Sequence, residues 1–136
     1  MDYKEKIQTS IEYIEKNLNE KIALQNLAKQ TYFSKYHYHR MFHELVGETV
    51  MAYIRKRRLT EAAKELLESN TKIVDIALKY QFGSQETFSR AFKRMFKASP
   101  GEFRRAQVNV LQYKKISVCN VKSSAPSIIN SFYKAA

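Results

Sequence analysis

Apolar residues recur along this chain at helical spacing, in stripes separated by capping residues. Ile7, Ile11, Ile14 and Leu18 are four, three and four positions apart, which predicts an amphipathic helix over about residues 3–19. Leu24, Leu27 and Ala28 mark a short second helix. Ser34 is placed to N-cap a third, whose stripe is Tyr38, Met41, Phe42, Leu45 and Val46, and Gly47 follows as its C-terminal cap. A long fourth helix is expected from about Val50 to Ser69, with Leu59, Ala62, Ala63, Leu66 and Leu67 inward and Asn70-Thr71 ending it. Ile73, Ile76 and Ala77 begin a fifth, and Ser84 caps a sixth with the stripe Phe88, Ala91, Phe92, Met95 and Phe96. Ser99-Pro100-Gly101-Glu102 opens a seventh as a capping box, with Ser at the N-cap, Pro at N1 and Glu at N3.

The sixth helix repeats the third at an offset of 50: Ser34 pairs with Ser84, Tyr38 with Phe88, Arg40 with Arg90, Phe42 with Phe92, and Tyr53 with Phe103. Ahead of the turn Ala28 pairs with Ala77 and Phe33 with Phe82 at an offset of 49, so the second copy has one extra turn residue. Ala28 and Ala77 fall where paired helices pack closely and little side-chain volume fits. Each copy reads as short helix, tight turn and longer helix with a polar outer face, the helix-turn-helix arrangement. Helical pairs also build solenoids, but two units are too few for one. The expected fold is all-α, about seven helices forming two helix-turn-helix subdomains joined by a long linking helix. The expected boundaries are 1–48 for the first subdomain, 49–70 for the linking helix, 71–107 for the second subdomain and 108–136 for a C-terminal tail or shortened extension.

Composition narrows the partner. Against 13 Asp+Glu stand 24 Lys+Arg, a formal net charge of +11, in a chain of 136 residues that is 44% apolar and can bury an ordinary core. The net charge is 0 over residues 1–33, +2 over 34–69, +5 over 70–107 and +4 over 108–136. That gradient points to a region that meets a polyanion rather than an evenly solvated surface. The single Cys119 excludes an internal disulfide framework and a multi-cysteine zinc site. The N-terminus lacks a signal-peptide stretch and no apolar run approaches the ~20 residues of a membrane span, so a soluble, cytoplasmic protein without a membrane partner is expected.

The outer faces carry base-reading chemistry. Off the apolar stripe lie Lys35, Tyr36, His39, Arg40 and His43 on the third helix, and Gln85, Glu86, Ser89, Arg90 and Lys93 on the sixth. Arg bonds bidentately to guanine, Gln to adenine, and Glu accepts from the cytosine amine, each good pair giving ~1–3 kcal/mol of discrimination. Ser34, Ser84, Thr87 and Ser89, with helix N-terminal amides, suit phosphates and set register, and Lys35, His43 and Lys93 are assigned to phosphate with them. Arg55-Lys56-Arg57-Arg58 on the linking helix point in four directions, so one or two touch phosphate and the others are solvated or paired with acids such as Glu61 and Glu65. His39 and His43 stand at i, i+4 but lack a third ligand, so no metal and no cofactor is expected. No Gly-rich phosphate loop or catalytic set is present, which excludes an enzyme.

The segments Ser34–Phe42, Tyr53–Leu59, Ser84–Lys93 and Ser99–Arg104 resemble, in order and spacing, the signature of the AraC/XylS family of bacterial transcription regulators, and more narrowly the MarA/SoxS/Rob group, over about residues 5–107. The resemblance implies base-reading positions at Tyr36, His39 and Arg40 in the first unit and at Gln85, Glu86 and Arg90 in the second. It implies phosphate contacts from Arg55, Thr87 and Ser89, and a transcription activator that also engages RNA polymerase. Where the family commonly has Gly in each turn this chain has Tyr32 and Gln81, so either the turn differs or it is strained. A linking helix of about 20 residues separates the units by ~30 Å, close to one ~34 Å turn of B-DNA. The expectation is a sequence-specific regulator that binds double-stranded DNA as a monomer and reads an asymmetric site in two successive major grooves. The alternative is a nonspecific architectural or protein-interaction module that uses the basic face for charge alone.

Overall fold

A computed structural model describes residues 2–106, which form seven helices: α1 (Tyr3–Lys16), α2 (Leu24–Thr31), α3 (Lys35–Val46), α4 (Val50–Glu68), α5 (Ile73–Lys79), α6 (Gln85–Phe96) and α7 (Pro100–Ala106). The tail with Cys119 lies outside the described residues. The offset of 50 is visible in the elements themselves, since α3 and α6 both have 12 residues and start 50 apart, and the starts of α4 and α7 are also 50 apart.

Side-chain caps set the starts of all the described helices except α2 and α5. The Asp2, Ser34, Thr49 and Ser84 side chains accept the N–H groups of Glu5, His37, Ala52 and Thr87, and each satisfies one orphan donor of a first turn. At α7 the Ser99 hydroxyl accepts the Glu102 N–H at 3.2 Å, and the Glu102 carboxylate accepts the Ser99 N–H at 3.4 Å, completing the capping box. Those bonds to Ser99 hold the Glu102 carboxyl below the usual carboxylate range. The first helix stops at Lys16, short of residue 19, because the Asn17 side chain donates back to the Tyr13 carbonyl at 2.8 Å; Leu18 still packs into the core from the turn. The fourth ends at Glu68, and Leu67, expected inward, is exposed.

Both helix-turn-helix turns share one geometry. In the first, Tyr32 N–H donates to Lys29 O and Phe33 N–H to Ala28 O; in the second, Gln81 N–H donates to Leu78 O and Phe82 N–H to Ala77 O. These are the paired bonds of a Schellman motif, which needs a left-handed residue between them. Tyr32 (φ 62) and Gln81 (φ 69) supply it without being glycine, so the turn is kept and the strain accepted.

The apolar stripes build two cores. Ile7, Ile11 and Ile14 of α1, Leu27 and Ala28 of α2, and Tyr38, Phe42 and Val46 of α3 pack with Val50, Tyr53 and Ile54 from the first half of α4. The second half of α4, through Leu59, Ala62, Ala63 and Leu66, packs with Ile76, Ala77, Phe88, Phe92, Phe96 and Phe103. One long helix therefore belongs to both units. The repeat extends to ring geometry: Phe42 meets Tyr53 edge-on at 5.8 Å, and their counterparts Phe92 and Phe103 do so at 5.2 Å. Tyr38 differs from its counterpart Phe88 by a hydroxyl that bonds Ser10 inside the first core, and burial pushes that phenol up to about 12.

Candidate nucleic-acid interface

The reading faces follow from how α3 and α6 bury their stripes. With Tyr38, Phe42 and Val46 turned into the core, Lys35, Tyr36, His39, Arg40 and His43 stand on the exposed side of α3. On α6 the buried residues are Phe88, Phe92 and Phe96, which leaves Gln85, Glu86, Arg90 and Lys93 exposed and Ser89 half-buried. Each position on one face has its counterpart 50 residues away on the other. The five residues of the α6 face also line a single shallow depression with Ser99. On α3 the Arg40 guanidinium lies 5.9 Å from the centre of the Tyr36 ring, and that ring is 70% exposed, presenting an aromatic surface beside a cation. His37 turns aside and its ring packs on Phe33 at 4.4 Å.

Of the hydroxyls assigned to phosphate, Ser34, Ser84 and Thr87 stand at the helix starts, and Ser89 lies further along α6. Ser34 and Ser84 are exposed N-caps, and Ser84 also donates to the Thr87 hydroxyl at 3.0 Å. They share their places with the free N–H groups of two 12-residue helices, where positive partial charge gathers. Among the described residues no group of three or more His, Cys, Asp or Glu is placed to hold a metal.

Arg55-Lys56-Arg57-Arg58 separates into four environments. Arg55 is exposed. Lys56 pairs with Glu48 at 2.9 Å. Arg57 is buried between the two cores, bonding Glu15 bidentately at 2.8 and 3.0 Å and Glu61 at 3.0 Å. Burial pulls the Arg57 guanidinium down, but the Glu15 bonds and the Glu15 and Glu61 charges outweigh it and leave it above its ordinary value. Arg58 donates to the carbonyls of Leu18 and Glu20, and burial lowers its pKa. Glu65, expected to serve this cluster, instead bonds Lys79 at 2.7 Å and the Tyr80 hydroxyl at 3.0 Å, because α5 lies across that face of α4.

Sequence reasoning missed the cleft of about 400 Å³ between α4 and α6, where Arg94 and Lys97 face Arg55 and Lys56 over Leu59, Ala91 and Met95. One signal for it was readable: at the repeat offset, Lys97 stands where Gly47 ends α3. It also missed Gln81 as a strut, whose side-chain amide donates to the Asn19 carbonyl of the first unit at 2.8 Å.

Two equivalent units, each presenting a 12-residue helix whose outer face is polar, define a protein of the helix-turn-helix class. A family profile described as a helix-turn-helix domain matches residues 27–106. The chain belongs to the AraC/XylS family of transcription regulators, in its MarA/Rob group, and this segment is its DNA-binding domain. That family consists of regulators, not enzymes. The chain is 46% identical over 104 residues to the HTH-type transcriptional regulator YbfP of Bacillus subtilis, covering 76% of this chain and 35% of YbfP. It therefore spans about a third of that relative's length. To the HTH-type transcriptional activator AarP of Providencia stuartii it is 44% identical over 92 residues, covering 68% of each chain. Among solved structures, the DNA-binding domain of the global transcriptional factor AdpA, in complex with a target DNA, matches with a TM-score of 0.65 at 24% identity, over 75% of this chain and 88% of that one, a likeness in fold. No helix among the described residues is long and apolar enough to cross a membrane.

Proposed function

We propose that this protein is a transcription activator that binds duplex DNA as a monomer, with α3 and α6 in two successive major grooves of an asymmetric site. The observation that carries the reading is the matched pair of outward faces, equal in helix length and 50 residues apart, filled with different side chains except at Arg40 and Arg90. Identical faces would read the same bases twice; Arg40 and Arg90 match, but Tyr36 and His39 stand against Glu86 and Ser89. Tyr36, His39, Arg40, Gln85, Glu86 and Arg90 read bases, with the two arginines as bidentate guanine readers. Ser34, Lys35, His43, Arg55, Ser84, Thr87, Ser89 and Lys93 hold phosphates and fix register. Activation, for which we propose contact with RNA polymerase, is in keeping with AarP only in that AarP is an activator by name, and AdpA supplies a DNA-bound neighbour of the same fold.

In vitro selection from random duplex DNA tests this. The expected product is a non-palindromic motif of about two major-groove turns, bound ~10³-fold or more tightly than random duplex. Arg40→Ala and Arg90→Ala each relax preference in one half of it by ~1–3 kcal/mol. A palindrome bound by two chains, or steep salt dependence without an enriched motif, refutes the reading.

A further inference from the structure

The cleft between α4 and α6 gathers four cations. Lys56 is tied to Glu48, but Arg55, Arg94 and Lys97 have no acidic partner within ion-pair distance among the described residues, and all three are exposed. Like charges so grouped repel one another until an anion enters. Arg94 follows Arg90 by four residues and Lys97 follows Lys93 by four, so a row of cations leads from the reading face of α6 into the cleft. The first unit has no such row: at the repeat offset Arg94 and Lys97 face Glu44 and Gly47. Lys97 also holds a left-handed backbone (φ 64) where its counterpart is glycine (φ 94). Its ammonium donates to the Arg94 carbonyl at 3.2 Å, a single exposed bond at the end of α6 that offsets only part of the strain, which directs attention to what else the side chain binds.

We propose that this cleft is a phosphate site in which Arg55, Arg94 and Lys97 hold a backbone phosphodiester of the DNA strand running between the two recognition helices. It rests on the two-groove reading and adds Arg94 and Lys97 to the interface. Guanidinium groups match phosphate oxygens in paired hydrogen bonds, and the floor of Leu59 and Met95 offers the adjoining deoxyribose an apolar surface.

The test uses the full chain, its selected duplex and a random duplex of equal length, with Arg94→Gln, Lys97→Gly and, as a control on α1, Lys4→Gln. Both cleft variants weaken the two duplexes by similar factors and reduce the slope of log affinity against log salt by about 0.9. Between 50 and 200 mM salt the parent then loses about 3.5-fold more affinity than either variant. Lys4→Gln keeps the parent slope. Lys97→Gly melts at or above the parent temperature, so its weaker binding is not lost folding. Parent slopes in both cleft variants overturn the proposal, as does a loss confined to the selected duplex, which would mean base reading. Unchanged duplex slopes with inorganic phosphate shifting the Arg94 side-chain resonance at constant ionic strength would assign the site to a free anion and overturn it too. If the parent binds no duplex, the two-groove reading fails first and takes this one with it; if it binds and only the variant slopes stay put, the cleft alone is wrong.

Discussion

Arg57 has the most constrained chemistry of the four successive cations on α4. Its charge is enclosed between the cores and is supportable there only because the Glu15 carboxylate accepts two of its hydrogen bonds and Glu61 a third. Removing one member of such a group strands the others, so Arg57→Met is expected to cost about 3–5 kcal/mol in urea unfolding. Combined with Glu15→Gln it costs less than the two single changes added together, and strict additivity would show that the pair is not coupled. Tyr38 gives a second residue-level expectation. Its folded phenol keeps its proton up to about pH 12, above the ordinary 10.0, so the native state binds more protons than the unfolded chain between those values. The contribution is complete below pH 10 and is lost as pH rises through about 12, in the order of 2–3 kcal/mol. Burial shifts Tyr80 in the same direction. Unfolding free energies at pH 8 and pH 11 should therefore differ less in Tyr38→Phe than in the parent; an unchanged difference would remove Tyr38 as a cause.

Among the elements, the side-chain-capped helix starts, the core stripes and the end of α3 at Gly47 were readable, while the ends of α1 and α6 were not. Ser34, Ser84 and Ser99 announce their caps because a short hydroxyl three residues before a free N–H acts locally, and Tyr38, Phe42, Phe88 and Phe92 announce the core because burial follows the 3.6-residue period. The left-handed residues Tyr32 and Gln81 stand out only through the family's glycines, and Lys97 is hidden, because nothing in a side chain of that type marks a positive φ. Paired Ala28/Ala77 and Phe33/Phe82 revealed the turns only through repetition. The same conformational cost yields a prediction at the ends of α3 and α6. Lys97→Gly relieves roughly 1–2 kcal/mol of left-handed strain, offset by ~0.5–1 kcal/mol of added unfolded-state freedom, for a net gain of up to about 1 kcal/mol. Gly47→Ala moves the opposite way by a similar amount, because a Cβ is added at φ 94. Calorimetric melting of the two variants checks both signs. The site divides along the same line: exposed residues on a helical stripe could be assigned from spacing, whereas Gln81 reaching a carbonyl 62 residues away could not, since no local pattern records which chain lies across the gap.

At the scale of the whole molecule the relation between the two units decides what DNA the protein can accept. They share α4, with Arg57 enclosed where its halves meet, and are tied by Arg58 to the carbonyls of Leu18 and Glu20 and by Gln81 to that of Asn19. A helix of 19 residues is about 28 Å long, near one B-DNA turn, and these ties leave it little freedom to swing one reading face against the other. On the proposed reading, half-site spacing is therefore as much a determinant as half-site sequence. Inserting five base pairs between the halves of the selected site carries the second half to the opposite side of the duplex, given 10–10.5 base pairs per turn. Affinity then falls to that of an isolated half-site, whereas a loosely linked pair would retain part of its gain from double engagement. A one-base-pair insertion separates the ties from the helix itself. If the Gln81 strut restricts the angle between units, Gln81→Gly, which also relieves a strained backbone, tolerates that insertion better than the parent while melting no lower than expected from losing one hydrogen bond. Equal penalties for the inserted site in parent and variant would place the restriction in α4 and the Arg57 group alone.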